Sequence, residues 1–177
     1  MIKIIEKEIF HDGKLNLNGK KITREAVRGI IIVKSKLLLL HSPQKGDFKF
    51  PGGGIKEKET HSEALSREIM EECGCQIGEM ENLWGKIYEY KRPIEEDYDV
   101  FKLTSLYYFC KAGPVFKEQK LDGYEKKLEL TPVWIDIDRA IEENKRVLKG
   151  HDVSRWVWRE TYVLEKLREK HINNVLY

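Results

Sequence analysis

The chain has 177 residues, enough for one compact domain with room for a terminal extension. Hydrophobic residues make up 41% and charged residues 35%, which implies a real core under a highly charged surface. The 32 basic residues nearly balance the 30 acidic ones, leaving a formal charge of +2 and excluding a polyanion-coating surface, so nucleic acid is not expected as the main partner.

The N-terminus interleaves charges with aliphatics from Met1 to Glu8 and carries no signal-peptide core. The apolar run Leu37 to Leu40 is strand-sized, far short of a membrane span, so no membrane partner is expected. Cys73, Cys75 and Cys110 are an odd number for a disulfide framework, and a reduced, cytoplasmic protein is the simplest reading. The Cys73-x-Cys75 spacing is wrong for a zinc knuckle.

In chain order, Ile2 to Phe10 reads as a strand, Asp12-Gly13 as a turn, and Leu15 to Leu17 as a weaker strand, together an N-terminal extension over 1–25. The β-branched run Val27 to Val33 and the run Leu37 to His41 read as central, largely buried strands. Pro51-Gly52-Gly53-Gly54 suits no regular element and is a loop. Thr60 and Glu63 form a capping box that opens a helix from His61 to about Cys73, with Gly74 closing it. Trp84 to Tyr90 and Phe101 to Cys110 are two further strands around a polar loop, Lys91 to Asp99. A short strand at Val133 to Ile135 leads into a helix that Asp136 or Asp138 could cap, and a C-terminal helix spans about 153–170. The pattern favours an α/β architecture, one mixed β-sheet sandwiched between helices, in a single domain over 1–177.

On a helix with Glu68 at zero, Glu72 lies near 40° and Glu71 near 300°, while Leu65, Ile69 and Cys73 form an apolar stripe from about 60° to about 140°. Glu68 and Glu72 therefore border the buried face. Carboxylates grouped at i, i+3 and i+4 repel one another and resist desolvation, so they call for a compensating cation. Oxygen-only donors of high charge density suit magnesium or manganese. A solvated acidic helix would not explain the surrounding letters. Gly52 to Gly54 lets the chain bend tightly and can offer a backbone carbonyl to the metal. Glu59, just before the helix, is placed to pair with Arg67, whose buried fork needs satisfying.

Those letters run from Gly53 to Cys75 in the order G-x5-E-x7-R-E-U-x-E-E-x-G-U, where U is aliphatic: Gly53, Glu59, Arg67, Glu68, Glu71, Glu72 and Gly74. At residue frequencies of about one in fifteen, a chance match from one starting point is of order 10⁻⁸. The segment resembles the Nudix box of the Nudix (MutT-like) hydrolases, and Phe50-Pro51-Gly52 resembles the family's lead-in. One departure is Cys75 at the closing aliphatic position, where a small, readily buried thiol still packs.

The resemblance implies a Nudix fold and a hydrolase that cuts a pyrophosphate linkage in a small nucleoside-diphosphate derivative, a (d)NTP or an ADP-ribose-like molecule. It implies Mg²⁺ or Mn²⁺ held by Glu68, Glu71, Glu72 and the carbonyl of Gly52, with Arg67 and Glu59 as supports. A carboxylate would take the proton from the attacking water. Glu71 is a candidate, as are Glu95 and Glu96 in the polar loop and Glu125 and Glu129 before Trp134. For substrate contacts Phe48 and Tyr90 offer aromatic faces, Lys49 and Arg28 offer positive charge, and Arg24 accompanies Arg28. The alternative functions are a Nudix-fold module that senses a nucleotide without cutting it and an isoprenyl-diphosphate isomerase. A homodimer is compatible with Trp156 and Trp158 near the C-terminus.

Overall fold

The computed structural model describes residues 4–175, and side chains outside 114–116 and 171–175. The expected strand start at Ile2 lies outside the described residues; from there β1 runs Ile5–Phe10. It is followed by β2 (Lys21–Ile30), β3 (Ile32–Val33), β4 (Lys36–Ser42) and β5 (Asp47–Lys49). Then come α1 (His61–Cys73), β6 (Cys75–Lys91), β7 (Val100–Phe116), α2 (Gly123–Lys127), β8 (Thr131–Ile135), α3 (Ile137–Val147) and α4 (Trp156–Val175).

These strands make two four-stranded sheets in place of the single mixed sheet expected. The first has the order β1-β6-β7-β2, with β1 parallel to β6, β6 antiparallel to β7 and β7 parallel to β2. In the second, β4 pairs antiparallel with β3, β5 and β8. Leu37 and Leu39 enter a core with Phe50, Tyr107 and Leu164, beneath α3 and α4. Leu38 and Leu40 point the opposite way, into a core with Leu65, Ile69 and Cys73 of α1. Both faces of β4 are thus covered by helices, which is why its sequence is a continuous apolar run instead of an alternating one. The layering is α/β/α, and each fully buried Leu or Ile contributes about 1.5–3 kcal/mol to it.

The helix α1 has the expected limits. Glu63 N–H donates to Thr60 Oγ1 at 3.2 Å and Thr60 N–H donates back to Glu63 Oε2 at 2.8 Å, closing the box. At its other end Gly74 sits at φ 63° and donates to the Met70 carbonyl at 3.0 Å. A 13-residue helix is marginal alone, so burial of Leu65, Ile69 and Cys73 holds it in place.

Several sequence expectations need correcting. Leu15 to Leu17 is no strand: Gly19 N–H donates to the Asn16 carbonyl at 3.2 Å, and the Asn16 side chain donates to Asp99 at 3.3 Å. Asparagine and glycine favour turns over ladders, and that preference wins there. Asp136 stands at the N-cap of α3 but makes no capping bond, because its carboxylate pairs with Lys36 Nζ at 2.7 Å. The strands β6 and β7 run well beyond the expected cores, through register shifts between Cys75 and Gly85. Two elements are absent from the sequence reading. The three residues of β5 are too few to show a period, and α2 is a five-residue turn opened by an Asp122 capping box. No helix among the described residues is long and apolar enough to cross a membrane.

Candidate active site

Arg67 is the centre of the acidic face of α1. Its Nε and Nη2 grip the two oxygens of Glu59 at 2.6 and 2.8 Å, and Nη2 also donates to the Gly54 carbonyl at 3.1 Å. Its Nη1 reaches Glu68 Oε1 at 2.6 Å and Glu71 Oε2 at 3.3 Å. The pairing of Glu59 with Arg67 expected from the spacing is therefore present, and the fork extends it to two more carboxylates. Arg67 and the N–H of Lys56 together hold the Glu59 carboxyl down to about 2. The ends of the loop before α1 are thereby fixed to the helix.

The glycine loop lies along β2 like a further strand. Val27 N–H donates to the Gly53 carbonyl and Gly29 N–H to the Pro51 carbonyl, both at 2.9 Å. The intervening Gly52 carbonyl accepts from Arg28 Nη1 instead. Gly52 has φ +132°, and a Cβ there would lie 2.1 Å from the Val27 carbonyl oxygen, so only glycine permits this approach. Its N–H donates to Glu72 Oε2 at 2.6 Å, while Lys49 Nζ donates to Glu72 Oε1 at 2.9 Å. Glu72 is 1% exposed. Burial pushes its carboxyl up to about 7, and Lys49, the Gly52 N–H and Arg28 offset this only in part.

The donor set is oxygen-only: three carboxylates on adjacent turns and the Gly52 carbonyl. That chemistry fits a hard divalent cation. In this structure the same oxygens are satisfied by Arg67, Lys49 and Arg28, and no three acids among the described residues close on one point. Binding of an ion there would compete with those basic side chains for the same lone pairs.

A cleft of about 350 Å³ opens beside the loop, between one face of the first sheet and the first turn of α4. Arg28 and Gly54 lie where it meets the glycine loop, Arg24, Lys91 and Phe101 line it further along the sheet, and Arg155 lines it from the start of α4. In its wall Arg159, 3% exposed, donates to Glu160 Oε1 at 2.6 Å, to Tyr107 Oη at 3.0 Å and to Glu89. Glu89 also pairs with His11 Nε2 at 2.9 Å. Burial alone would raise the Glu89 carboxyl, but Arg159 and His11 hold it down to about 2. Glu160 Oε2 accepts from Tyr107 Oη at 3.2 Å and from the Phe50 N–H at 3.4 Å. Phe50 immediately precedes Pro51, so this buried charge network couples the cleft wall to the glycine loop.

The other expected site residues are scattered. Phe48 is buried, its ring stacked on His41 with centroids 4.7 Å apart, and presents no open face to a base. Tyr90 stacks on Phe10 at 4.9 Å and donates to Glu8 at 3.1 Å, on the face of β6 opposite Glu89 and Lys91. Strand alternation sends its neighbours, not Tyr90 itself, into the cleft. Lys49 reaches the site as the partner of Glu72. Glu125 closes the α2 capping box by accepting from the Asp122 N–H at 2.9 Å, and Glu129 sits in a left-handed turn at φ 52°. Neither is hydrogen-bonded to α1. The sequence reading omitted His11, Glu89, Phe101, Arg155 and Arg159. A charged Arg159-Glu160 pair inside the otherwise apolar face of the last helix was the available signal.

A family model described as the NUDIX domain matches residues 23–157. Over 135 residues the chain is 30% identical to "Nudix hydrolase 13, mitochondrial" of Arabidopsis thaliana, covering 76% of this chain and 61% of that protein. Over 86 residues it is 40% identical to the "ADP-ribose pyrophosphatase" of Methanocaldococcus jannaschii, covering 47% of this chain and 48% of that protein. The match thus spans about half to three-fifths of the length of these relatives. Among solved structures, a NUDIX hydrolase from Nitrosomonas europaea superposes with a TM-score of 0.54 at 20% identity, over 82% of this chain and 91% of that one. A structure titled "ADP compounds hydrolase" gives 0.52 at 21% identity, over 85% and 74%. At those identities the likeness is one of fold.

Proposed function

The chain belongs to the NUDIX family, and from that premise we propose that it hydrolyses a pyrophosphate bond in a nucleoside-diphosphate derivative, with an ADP-ribose-like molecule as the leading substrate class. The observation that carries the reading is the junction of loop and helix. There a fully buried Glu72 is bonded to the backbone of Gly52 and to Lys49, beside Glu68 and Glu71 and at the end of a basic cleft. The 40% identity to a protein named ADP-ribose pyrophosphatase supports the substrate class.

Magnesium or manganese, when bound, would supply charge neutralisation for the diphosphate and acidify a water. Glu68, Glu71, Glu72 and the Gly52 carbonyl are the groups that would hold it. The remaining work belongs to the chain's own residues. Arg67 keeps Glu59, Glu68 and Glu71 in register and locks the loop ahead of α1. Arg28 holds the Gly52 carbonyl and brings positive charge to the end of the cleft where the diphosphate would lie. Glu71 is the most open of the three acids, with 38% side-chain exposure, and among the described residues its carboxylate is bonded only to Arg67, at 3.3 Å. We assign it the role of proton acceptor, at Oε1 or Oε2, because it stands on α1 beside Glu68 and Glu72, whereas Glu125 is committed to the α2 capping box.

The test is a panel of ADP-ribose, dinucleoside polyphosphates and nucleoside triphosphates, scored for released nucleotide with and without a chelator. Turnover that requires Mg²⁺ or Mn²⁺ and stops in EDTA is expected. Tight binding with no turnover of any compound would return the chain to the class of non-hydrolytic sensing modules.

A further inference from the structure

The cleft carries five cationic side chains, Arg24, Arg28, Lys91, Arg155 and Arg159, against two carboxylates, Glu25 and Glu89. Their states of compensation differ. Arg159 is saturated by Glu89 and Glu160, and Arg28 is committed to the Gly52 carbonyl. Arg24, Lys91 and Arg155 have no ion pair among the described residues. Arg24 and Lys91 instead share one aromatic ring: the Arg24 guanidinium lies 5.7 Å and the Lys91 ammonium 4.6 Å from the centroid of Phe101. A ring face attracts cations without neutralising them, so both charges stay available to an anion. Arg155 immediately precedes α4, whose first turn brings Trp156, Arg159 and the positive end of the helix dipole to the same wall.

Position decides what these charges can reach. Arg24 stands four residues before Arg28 on β2, which is about 13 Å along an extended strand. Phe101, on which it rests, pairs with Ile22, two residues further still from the glycine loop. A diphosphate seated at Arg28 and Gly52 is much shorter than that separation. That leaves Arg24 and Lys91 to meet a group further along the substrate.

We infer that the far end of the cleft is a second anion subsite, and that the preferred substrate carries a further phosphate on the group distal to the cleaved pyrophosphate. The inference rests on the proposed function only in taking the loop and α1 as the place of cleavage. It divides substrates by charge: an end-phosphorylated nucleoside-diphosphate sugar over one that ends in a neutral sugar.

Two measurements test it. The first compares ADP-ribose with ADP-ribose carrying a terminal phosphate on the distal ribose; the two share the scissile bond. A charge-assisted contact is worth about tenfold in affinity, so a kcat/KM advantage of roughly tenfold or more is expected for the phosphorylated compound. It should reside in KM and vanish in Arg24→Gln/Lys91→Gln/Arg155→Gln, and Arg24→Lys/Arg155→Lys should keep most of it. The second measures binding of inorganic tripolyphosphate by calorimetry, which needs no turnover. The wild type should bind at least tenfold more tightly than the triple variant, with an affinity that falls as salt rises. All three side chains lie towards the surface, and a melting curve will show that the variants fold. Equal turnover of the two ADP-riboses overturns the inference while leaving the hydrolase reading intact. Equal tripolyphosphate affinity in wild type and triple variant overturns it too. Charge-dependent tripolyphosphate binding with no turnover of any substrate would sustain the subsite and refute the hydrolase.

Discussion

Glu72 bears two opposed demands, since the role proposed for it needs a charge and its surroundings resist one. Its folded carboxyl titrates at about 7 against 4.5 for the ordinary group, so the folded state holds the extra proton between those values. The metal-free protein should therefore lose stability as pH rises from about 4.5 to about 7 and stay level above that, for this group. Glu72→Gln keeps the shape and an acceptor for the Gly52 N–H, and should flatten that slope while nearly abolishing turnover. Melting curves in chelator from pH 5 to pH 8 check the first point and steady-state rates the second; a variant that melts several degrees lower at pH 8 would make Glu72 a structural partner. Glu59 has the opposite sign. Its carboxyl is held at about 2, so its contribution is present above about 4.5 and lost as pH falls towards 2. Arg67→Gln should remove that acid-side loss, and Glu59→Gln should add little to it; strictly additive effects in the double-mutant cycle would show the two to be independent. The spacing of Glu59 and Arg67, and of Glu68 and Glu72 beside the apolar stripe, was enough to read these roles. The partner of Glu72 was not readable, because Lys49 reaches it from a strand 23 residues earlier that is only three residues long.

Among the elements, α1 was legible to the residue because its signals are local: a capping box at one end and a left-handed glycine at the other. Thr60→Ala removes the cap and should cost about 1 kcal/mol. Gly74→Ala should cost more, since a Cβ at φ 63° would meet the Lys117 carbonyl oxygen at 1.8 Å. Urea denaturation of the two variants checks that order, and a smaller loss for Gly74→Ala would mean that the chain at Lys117, just past β7, yields easily. The sheets were less legible. The run from Leu37 to Leu40 announces burial on both faces, but nothing local says that β8 pairs with it or that β2 pairs with β7 instead of β4. Those pairings are set by tertiary packing between distant segments. The same limit explains Tyr90: its residue type suggested a substrate contact, yet strand parity, fixed by pairing with β1 and β7, turned it away and put Glu89 and Lys91 in the cleft.

For the whole molecule, the buried charges of α4 matter as much as its apolar face. Arg159 joins Glu89 of the first sheet to Glu160, which in turn bonds the Phe50 N–H ahead of the glycine loop. Arg159→Met would leave Glu160 buried without a cationic partner and Glu89 with His11 alone, and should cost about 3–5 kcal/mol by chemical denaturation. A loss under about 1 kcal/mol would show that water or a side-chain shift replaces the guanidinium. The core on the opposite side, under α1, contains Cys73, Cys75 and Cys110, all unpaired and buried. Burial pushes the Cys110 thiol up to about 12 and raises the other two, so the native protein presents almost no thiolate to a reagent. The molecule thus contains its own clock. A disulfide-exchange dye added to the intact protein can react only as fast as the layer beneath α1 opens. Its rate should rise in Thr60→Ala and Gly74→Ala in proportion to their loss of stability, and labelling as quick as that of a free thiol would mean that this layer is never closed.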